Sequence, residues 1–574
     1  MKIDGEMRLG TVMRHAPARE VMQREFPGLP TSPYVEMLRM LTLGSLAGWL
    51  LDDSFELDRL AEALASVPEP ATYDLPPFEP DDAADTMIDG GTSSMTAPSS
   101  APRWGVYEVQ LSGPSAGNPY VDVRLSAEFV HADSRVTVHG FHDGGDSYRI
   151  RFMPEHEGEW TFSVSSNAHA LNGATGSFMC TAAVAGSHGP VRVVEGFHFA
   201  HADGTRFHPF GTTVYGLCHQ SEALEQLTLA TLERSPFNKV RMCAFPKWYP
   251  FNTFEPLRHA FEQRPDGTFD LVRFVPEFFS HLERRILDLA ALGIEVDLIL
   301  FHPYDKWGYS DMPAVIDDHY LRYMVARLGA FANVWWSLAN EFDFMYDKRD
   351  DGWRRFGDII NTRDPHGHLI GVHNGSRIWD HSLEWVSHAS LQGTEPWRTT
   401  ENVLDWRREW GKPVVVDECG YEGDIEFGFG NLTAEEMTRR FWEGVCRGGY
   451  VTHGECFLDP DDVLWWGRGG VLHGASTPRL AFLRSVLESA PGAPEPVETR
   501  RGFATIGVRD QWFLTYNSGR QPRRRTLETP AGRRYSVEML DTWNMTVTDL
   551  GEYQSGDEVH LPMQPYLALR LTAV

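Results

Sequence analysis

Cysteine is scarce in this sequence: six residues in 574, at positions 180, 218, 243, 419, 446 and 456, with no paired spacing. That excludes a disulfide framework and fits the reduced thiols of a cytosolic protein. Basic side chains are in deficit, 52 against 80 acidic ones. The resulting net charge of −28 repels nucleic acid and anionic membrane surfaces and leaves a neutral partner as the expectation. Long apolar runs are missing too, since no stretch approaches the roughly 18 uninterrupted apolar residues of a membrane-spanning helix. The first residues, Met1-Lys2-Ile3-Asp4-Gly5-Glu6-Met7, show no cationic patch leading into an apolar core. No secretory signal is therefore expected, and a soluble cytoplasmic protein is.

What the chain does have is length and a hydrophobic content of 42%, enough for three or four domains with separate cores. Residues 1–68 carry helical stripes at Val12-Met13-Arg14, Val21-Met22, Leu41 to Leu51 and Phe55 to Leu64. They are broken at Pro27-Gly28-Leu29-Pro30 and at the capping-type Asp52-Asp53-Ser54. This predicts a small helical domain, read as an oligomerisation or docking module, with a passive cap on its neighbour as the plainer alternative. Residues 69–103 are rich in Pro, Gly, Ser and Asp and read as a linker. Residues 104–186 alternate polar and apolar positions in short runs such as Val106 to Leu111 and Trp160 to Val164, which predicts a β-sandwich. Residues 494–574 predict a second one, with Arg520 to Arg525 as a solvated face or hairpin tip.

Between them, residues 190–490 hold eight strand–helix pairs, the pattern of a (β/α)8 barrel. The predicted strands are Phe207 to Tyr215, Asn238 to Cys243, Glu295 to Phe301, Asn333 to Leu338, His368 to His373, Trp385 to Leu391, Pro413 to Glu418 and Gly449 to Glu455. The expected fold class is thus multidomain α/β, a TIM barrel flanked by two β-sandwiches with a small helical domain in front.

Two of these strands end alike. Asn333-Val334-Trp335-Trp336-Ser337-Leu338-Ala339 breaks into Asn340-Glu341, and Val414-Val415-Val416 breaks into Asp417-Glu418. A carboxylate at the end of a buried strand must be paired or solvated by a site. The two glutamates lie 77 residues apart, close to three strand–helix units of roughly 30 residues in a barrel of about 250, which suits strands four and seven. Carboxylates facing each other across a barrel mouth are what glycoside hydrolysis requires, one protonated to donate to the leaving oxygen and one ionised to attack. Other strand ends offer Arg241, His302, Tyr304, His373, Asn374, His388, Gln392, His453 and Glu455, and the following loops offer Trp307, Trp465 and Trp466. Any one strand-end histidine is as easily a satisfied core group, but a polar residue at nearly every strand end is hard to read as packing. Cys419 is equally a nucleophile candidate and a small packing residue.

Asn340-Glu341 and Glu418 resemble the catalytic pair of glycoside hydrolase clan A, the family-5-like barrels. His373-Asn374-Gly375, Trp385 to Gln392, Asp417 to Gly423, Thr452-His453-Gly454-Glu455 and Trp465-Trp466 resemble the motifs of a bacterial group in that clan. The group combines an immunoglobulin-like domain, the barrel and a C-terminal β-sandwich. The resemblance covers residues 104–574 and implies a retaining mechanism, with Glu341 as acid/base and Glu418 as nucleophile. Arg241 would keep Glu418 ionised, Asn340 would bond the sugar 2-hydroxyl, and Trp335 and Trp336 would desolvate Glu341. His302, Tyr304, Trp307, His373, Asn374, His388, Gln392, His453, Glu455, Trp465 and Trp466 would bind a neutral carbohydrate, with no cofactor and no metal. The sequence departs from the family where many members place a tyrosine near strand six to bond the nucleophile. His388 and Gln392 stand there, and strand eight ends in His-Gly-Glu in place of a tryptophan. The alternative reading is a non-catalytic carbohydrate-binding or assembly protein. A metal-dependent hydrolase using His302, His373 and His453 ranks lower, because no His-x-His spacing is present.

Overall fold

The computed structural model describes residues 1–5, 7–26, 41–49, 57–68, 87–393 and 398–574. The expected break at Pro27-Gly28-Leu29-Pro30, the Asp52-Asp53-Ser54 cap and residues 69–86 of the expected linker lie outside them.

At the centre is an eight-stranded parallel sheet. Its strands are β1 Phe210–Thr213, β2 Lys239–Cys243, β3 Glu295–Phe301, β4 Val334–Ala339, β5 Ile370–Gly371, β6 Ala389–Gln392, β7 Val414–Glu418 and β8 Tyr450–His453. They run in the order β5-β4-β3-β2-β1-β8-β7-β6, and a lone parallel bridge between His373 and Ser390 nearly closes the circle. Among the described residues seven helices surround it: α1 Glu222–Glu233, α2 Pro276–Ala291, α3 Ala314–Leu328, α4 Asp350–Arg363, α5 Val403–Trp410, α6 Ala434–Val445 and α7 Ser476–Glu488. The eighth expected pair is incomplete. The β5–β6 connection is irregular, and Trp385, expected to open strand six, packs in that loop flat against Gly357 of α4, where a Cβ would meet its ring at 2.3 Å. Asp343 fixes the start of the same loop by accepting from the backbone N–H groups of Gly375, Ser376 and Arg377. Strand one also divides. Arg206–Phe207 leaves the barrel to join a three-stranded sheet with Val191–Val194 and His198–His201, which places Phe199 and Phe207 against Trp335 at the barrel floor.

Period-two alternation sorts the strand side chains. Val240 and Met242, Val296 and Leu298, and Val334, Trp336 and Leu338 face the helices in one large core, with Val414 and Val416 in a second. The intervening positions face the axis, and several are polar: Lys239, Arg241, Asp297, Ser337 and Asp417, all buried. The barrel is thus filled by an apolar floor and, above it, a charged layer.

In residues 94–181 a four-stranded and a five-stranded sheet enclose a core that includes Tyr107, Phe129, Trp160 and Phe178. Two short strands lie inside the expected linker: Ser94–Thr96 pairs with Tyr107–Ser112, and Ser100–Pro102 with Thr175–Thr181. Such edge strands need only backbone hydrogen bonds, so no apolar alternation announces them. Arg151, 2.8 Å from Glu283, and Arg327, 2.7 Å from Asp143, tie these sheets to α2 and α3. After the barrel come a six-stranded and a two-stranded sheet. There Arg525, expected in solvent, is buried over the Phe503 ring and donates to Asn517. The first helices, Leu9–Arg14, Ala16–Glu25, Leu43–Trp49 and Leu57–Leu64, share a core of Leu9, Val12, Met22, Leu46 and Leu60. Among the described residues no helix is long and apolar enough to cross a membrane.

Candidate active site

The charged layer begins with Lys239, whose Nζ lies 2.6 Å from both Asp297 Oδ2 and Asp417 Oδ1. Asp417 also accepts from Ser390 Oγ at 2.6 Å and from Thr452 Oγ1 at 2.8 Å. Burial alone would raise the Asp417 carboxyl, but Lys239, Arg241 and His373 hold it far below the usual carboxylate range. This layer is the platform on which the next residue of β7 stands.

Glu418 sits at the strand end, where Oε1 accepts a hydrogen bond from the Tyr215 hydroxyl and lies 3.3 Å from Arg241 Nη1 and 3.2 Å from His373 Nε2. Burial works to raise its carboxyl, yet His373, Arg241 and Tyr215 together bring it down to about 2, so it is ionised at neutral pH. Glu341, after β4, has the opposite environment. Burial first, then the charge of Glu418, push its carboxyl up to about 7, against a smaller opposing effect of Lys247 and the Tyr304 hydroxyl. Asn340 joins the two acids. Its Nδ2 donates to Glu341 Oε2 at 2.9 Å, and its Oδ1 lies 2.9 Å from the same Tyr215 hydroxyl that serves Glu418. Trp335 and Trp336 do not shield Glu341 as expected. Trp335 points to the floor and donates to Glu295, and Trp336 points outward and donates to Asp364. Tyr249, Tyr304 and Trp466 share the cavity wall with Glu341 instead.

Glu341 and Glu418 line one cavity of about 1000 Å³, together with Tyr304, Gln392 and Trp466 from the expected set. Arg241, Asn340 and His373 lie directly against its floor through the contacts just given. The remaining expected residues are elsewhere. His302 is buried with Nε2 3.1 Å from the Phe245 carbonyl, and burial lowers its imidazole to about 3. Trp307 donates to Glu255 at 2.9 Å, beside Trp248. Asn374 pins β6 through the Gln392 backbone. His388 is buried against Trp335 and bonded to Ser387. His453 lies 3.1 Å from Thr212 Oγ1 and stacks on Phe237, and Trp465 donates to the same Thr212 at 2.8 Å. Glu455 accepts from the backbone N–H groups of His473 and Gly474, as Glu422 does from those of Ala475 and Ser476, so the two carboxylates clasp the start of α7. Cys419 is fully buried, and burial pushes its thiol up to about 12, which removes it as a nucleophile.

Among the described residues two groups could bring three metal ligands together: Glu222, Glu225 and His281, and Glu422, His453 and Glu455. In the first, Arg285 Nη1 lies 3.0 Å from Glu225 and 3.3 Å from Glu222. In the second, all four carboxylate oxygens accept backbone hydrogens. None of these six residues lines the cavity.

Sequence reading missed Tyr215, Lys247 and Tyr421, all of which line the cavity. Tyr215 ends the first expected strand, and its hydroxyl bonds Glu418, a contact that the resemblance led one to look for near strand six. The signal was a tyrosine at a strand end, indistinguishable there from a packing aromatic.

A nearly closed parallel barrel whose mouth brings two oppositely tuned glutamates into one cavity is the scaffold of a glycoside hydrolase. The chain belongs to a family of such enzymes. It is 36% identical to a Bacteroides vulgatus protein described as a glycoside hydrolase, over 83% of this chain and 100% of that one, with a TM-score of 0.78. Residues 195–455 match the apiosidase-like catalytic domain, and residues 100–167 and 503–572 match two domains of unknown function, DUF5060 and DUF5605. A family 5 glycoside hydrolase from the same organism shares the fold at 16% identity, covering 67% of this chain and 94% of that one, with a TM-score of 0.53. No curated protein matches the chain.

Proposed function

We propose that the protein is a retaining, exo-acting glycoside hydrolase working by double displacement. In the first step Glu341 gives its proton to the glycosidic oxygen while a carboxylate oxygen of Glu418 attacks the anomeric carbon. The alcohol leaves, and the sugar remains as an ester on Glu418. In the second step Glu341, now a carboxylate, takes a proton from water as that water attacks the same carbon and frees Glu418. The observation that carries this reading is the split between two acids of one cavity, Glu341 raised to about 7 and Glu418 lowered to about 2. Such a split is how acid and nucleophile roles are divided.

The substrate is a neutral glycoside whose terminal sugar is removed. The aromatic wall of Tyr249, Tyr304 and Trp466 suits the C–H faces of a sugar ring. The apiosidase-like match adds apiosides to the β-D-pyranosides and α-L-arabinofuranosides that the clan favours. Residues 104–186 and 494–574 are assigned as β-sandwiches that pack on the barrel, the first of immunoglobulin-like kind, and residues 1–68 as a helical docking or self-association module. The enzyme is placed in the cytoplasm, acting on imported glycosides. Deleting residues 1–68 and finding an unchanged number of subunits in solution would remove the self-association role.

The test of the mechanism is Glu418→Ala assayed on a panel of aryl glycosides that includes an apioside. The variant should be inactive and regain turnover in azide, yielding a glycosyl azide of inverted configuration. Wild-type activity in the variant refutes the assignment. Sugar binding by the intact protein without turnover of any glycoside would favour the carbohydrate-binding alternative.

A further inference from the structure

Lys247 is buried at 5% exposure, yet its surroundings differ from those of the other buried lysines. Lys239 and Lys348 each sit 2.6 Å from an aspartate. The Lys247 ammonium instead lies among aromatic faces, 3.7 Å from the Tyr215 ring centre, 4.4 Å from Tyr304, 5.1 Å from Tyr249 and 5.2 Å from Trp466. Among the described residues no carboxylate or carbonyl oxygen is hydrogen-bonded to its Nζ. Ring faces attract a cation, which accounts for its being tolerated there without an anion. They do not cancel its charge.

The position relative to the two acids is specific. The Tyr304 hydroxyl is bonded to Glu341, and the Tyr215 hydroxyl to Glu418. The ammonium therefore rests between the two rings whose far ends hold the acids, and it faces the same cavity. Beneath it, Lys239 and Arg241 face three carboxylates, those of Asp297, Asp417 and Glu418. Lys239, Arg241 and His373 are thus engaged by these carboxylates, and among the described residues Lys247 is the cation of the cavity with no carboxylate of its own. When Glu341 releases its proton, a new carboxylate stands beside the ionised Glu418.

Resting on the double-displacement reading above, we propose that Lys247 is the counter-charge to the carboxylate that forms on Glu341 as its proton passes to the leaving oxygen. While Glu341 carries its proton it is neutral and the attraction is small. It grows along the reaction coordinate, and only an interaction that grows in this way lowers a barrier. No bond to Lys247 forms or breaks; burial pulls its ammonium below the usual lysine range, while the carboxylates of Glu341 and Glu418 work to keep it charged.

Several other groups face this pair. The Cys243 thiol is pushed up to about 12 and the His302 imidazole down to about 3, both by burial, so neither titrates between pH 4 and 9. Arg241 and Glu418 keep their charges over the same range. Asp343, which acts on Glu341, is held by three backbone N–H groups. Removing the Lys247 charge should therefore register on Glu341.

The experiment compares Lys247→Met, Lys247→Gln and Lys247→Arg in the full-length enzyme, reading kcat/KM against pH for aryl glycosides of good and poor leaving groups. Loss of a neighbouring cation should move the alkaline limb upward by about one unit. The Met and Gln variants should also lose roughly tenfold or more on poor leaving groups and little on dinitrophenyl glycosides, which need no protonation, with Arg close to wild type. An unmoved alkaline limb overturns the proposal, and so does an equal loss on all leaving groups or a change confined to KM. If Met does not fold, Gln carries the test. Glu341→Gln separates the two levels of argument. Should that variant keep the alkaline limb, the acid/base reading itself falls. Should it abolish the limb while Lys247→Met leaves the limb in place, only the role of Lys247 falls.

Discussion

Replacing Tyr215 by Phe removes one oxygen and leaves the ring that packs beside Trp466 and Lys247. The lost hydroxyl donates to Glu418 Oε1, and a hydrogen bond to an ionised group contributes roughly 1.5–3 kcal/mol. One pKa unit corresponds to about 1.4 kcal/mol, so the Glu418 carboxyl should rise by roughly one to two units from its value of about 2. Arg241 and His373 remain to hold it below an ordinary glutamate. The sign follows from which form the bond favours. Tyr215 stabilises the carboxylate, so its removal favours the acid, and the acidic limb of kcat/KM against pH moves to higher pH. Near neutrality Glu418 stays ionised, and the loss there reports orientation of the proposed nucleophile, for which about tenfold to a hundredfold is expected. Tyr421, 3.4 Å from the Tyr215 hydroxyl, provides the control, since its Phe variant should move the limb less. An acid limb that stays in place in a folded Tyr215→Phe enzyme would refute both the bond and the division of labour between Glu418 and Glu341.

Two further outcomes follow from buried acids. The Glu341 carboxyl is raised from 4.5 to about 7, so its contribution to stability is complete below pH 4.5 and is lost as pH rises through 7. Glu341→Gln should therefore flatten the decline in unfolding free energy between pH 5 and 8.5 by up to about 3 kcal/mol, measured by denaturant titration, and parallel curves would contradict it. Glu455→Gln replaces one acceptor of the α7 clasp by an amide hydrogen and leaves a buried N–H without a partner, at a cost of about 1–3 kcal/mol. It should lower the melting temperature while kcat/KM stays within a few-fold, whereas a catalytic collapse without loss of stability would return Glu455 to the sugar site.

How much of this was legible in the sequence depended on whether a residue's role is set by strand period or by what stands across the barrel. Val414-Val415-Val416-Asp417-Glu418 and the run into Asn340-Glu341 announce strands buried on both faces that end in acid, and Arg241, inside β2, completes the group. The strand-end rule does not say which way a side chain turns once the strand has ended. His302, His388, His453 and Glu455 look like Arg241 in sequence, but they are bonded into the floor, into the helix layer or onto α7. Tyr215 failed in the other direction. Its hydroxyl has meaning only because Glu418 lies 203 residues later in the chain and a few ångströms away in the fold. Eight strand–helix pairs were counted along the sequence, and between β5 and β6 the place of a helix is taken by Trp385 and the loop pinned by Asp343.

The backbone at the two acids explains how adjacent residues can share one cavity at all. Neighbours along a regular strand point to opposite faces. Glu341 escapes that alternation through a left-handed conformation, φ 54° and ψ 57°, at a cost of roughly 1–2 kcal/mol for a residue other than glycine. Asn340 can thus bond Tyr215 and Glu341 together. On β7 the pairing with β6 slips between Leu391 and Gln392, so that Leu391 faces Val416 and Gln392 faces Glu418, with Asp417 as the extra residue of a bulge. Asp417 then serves the charged layer, and Glu418 the mouth. Both departures from regular strand geometry fall at the two glutamates, each on a different strand, and each makes a pair of consecutive polar residues usable on the same side. Left-handed backbone recurs at nine other described non-glycine residues, so what ties Glu341 to the cavity is its partners Asn340, Tyr304 and Glu418 and not the strain alone.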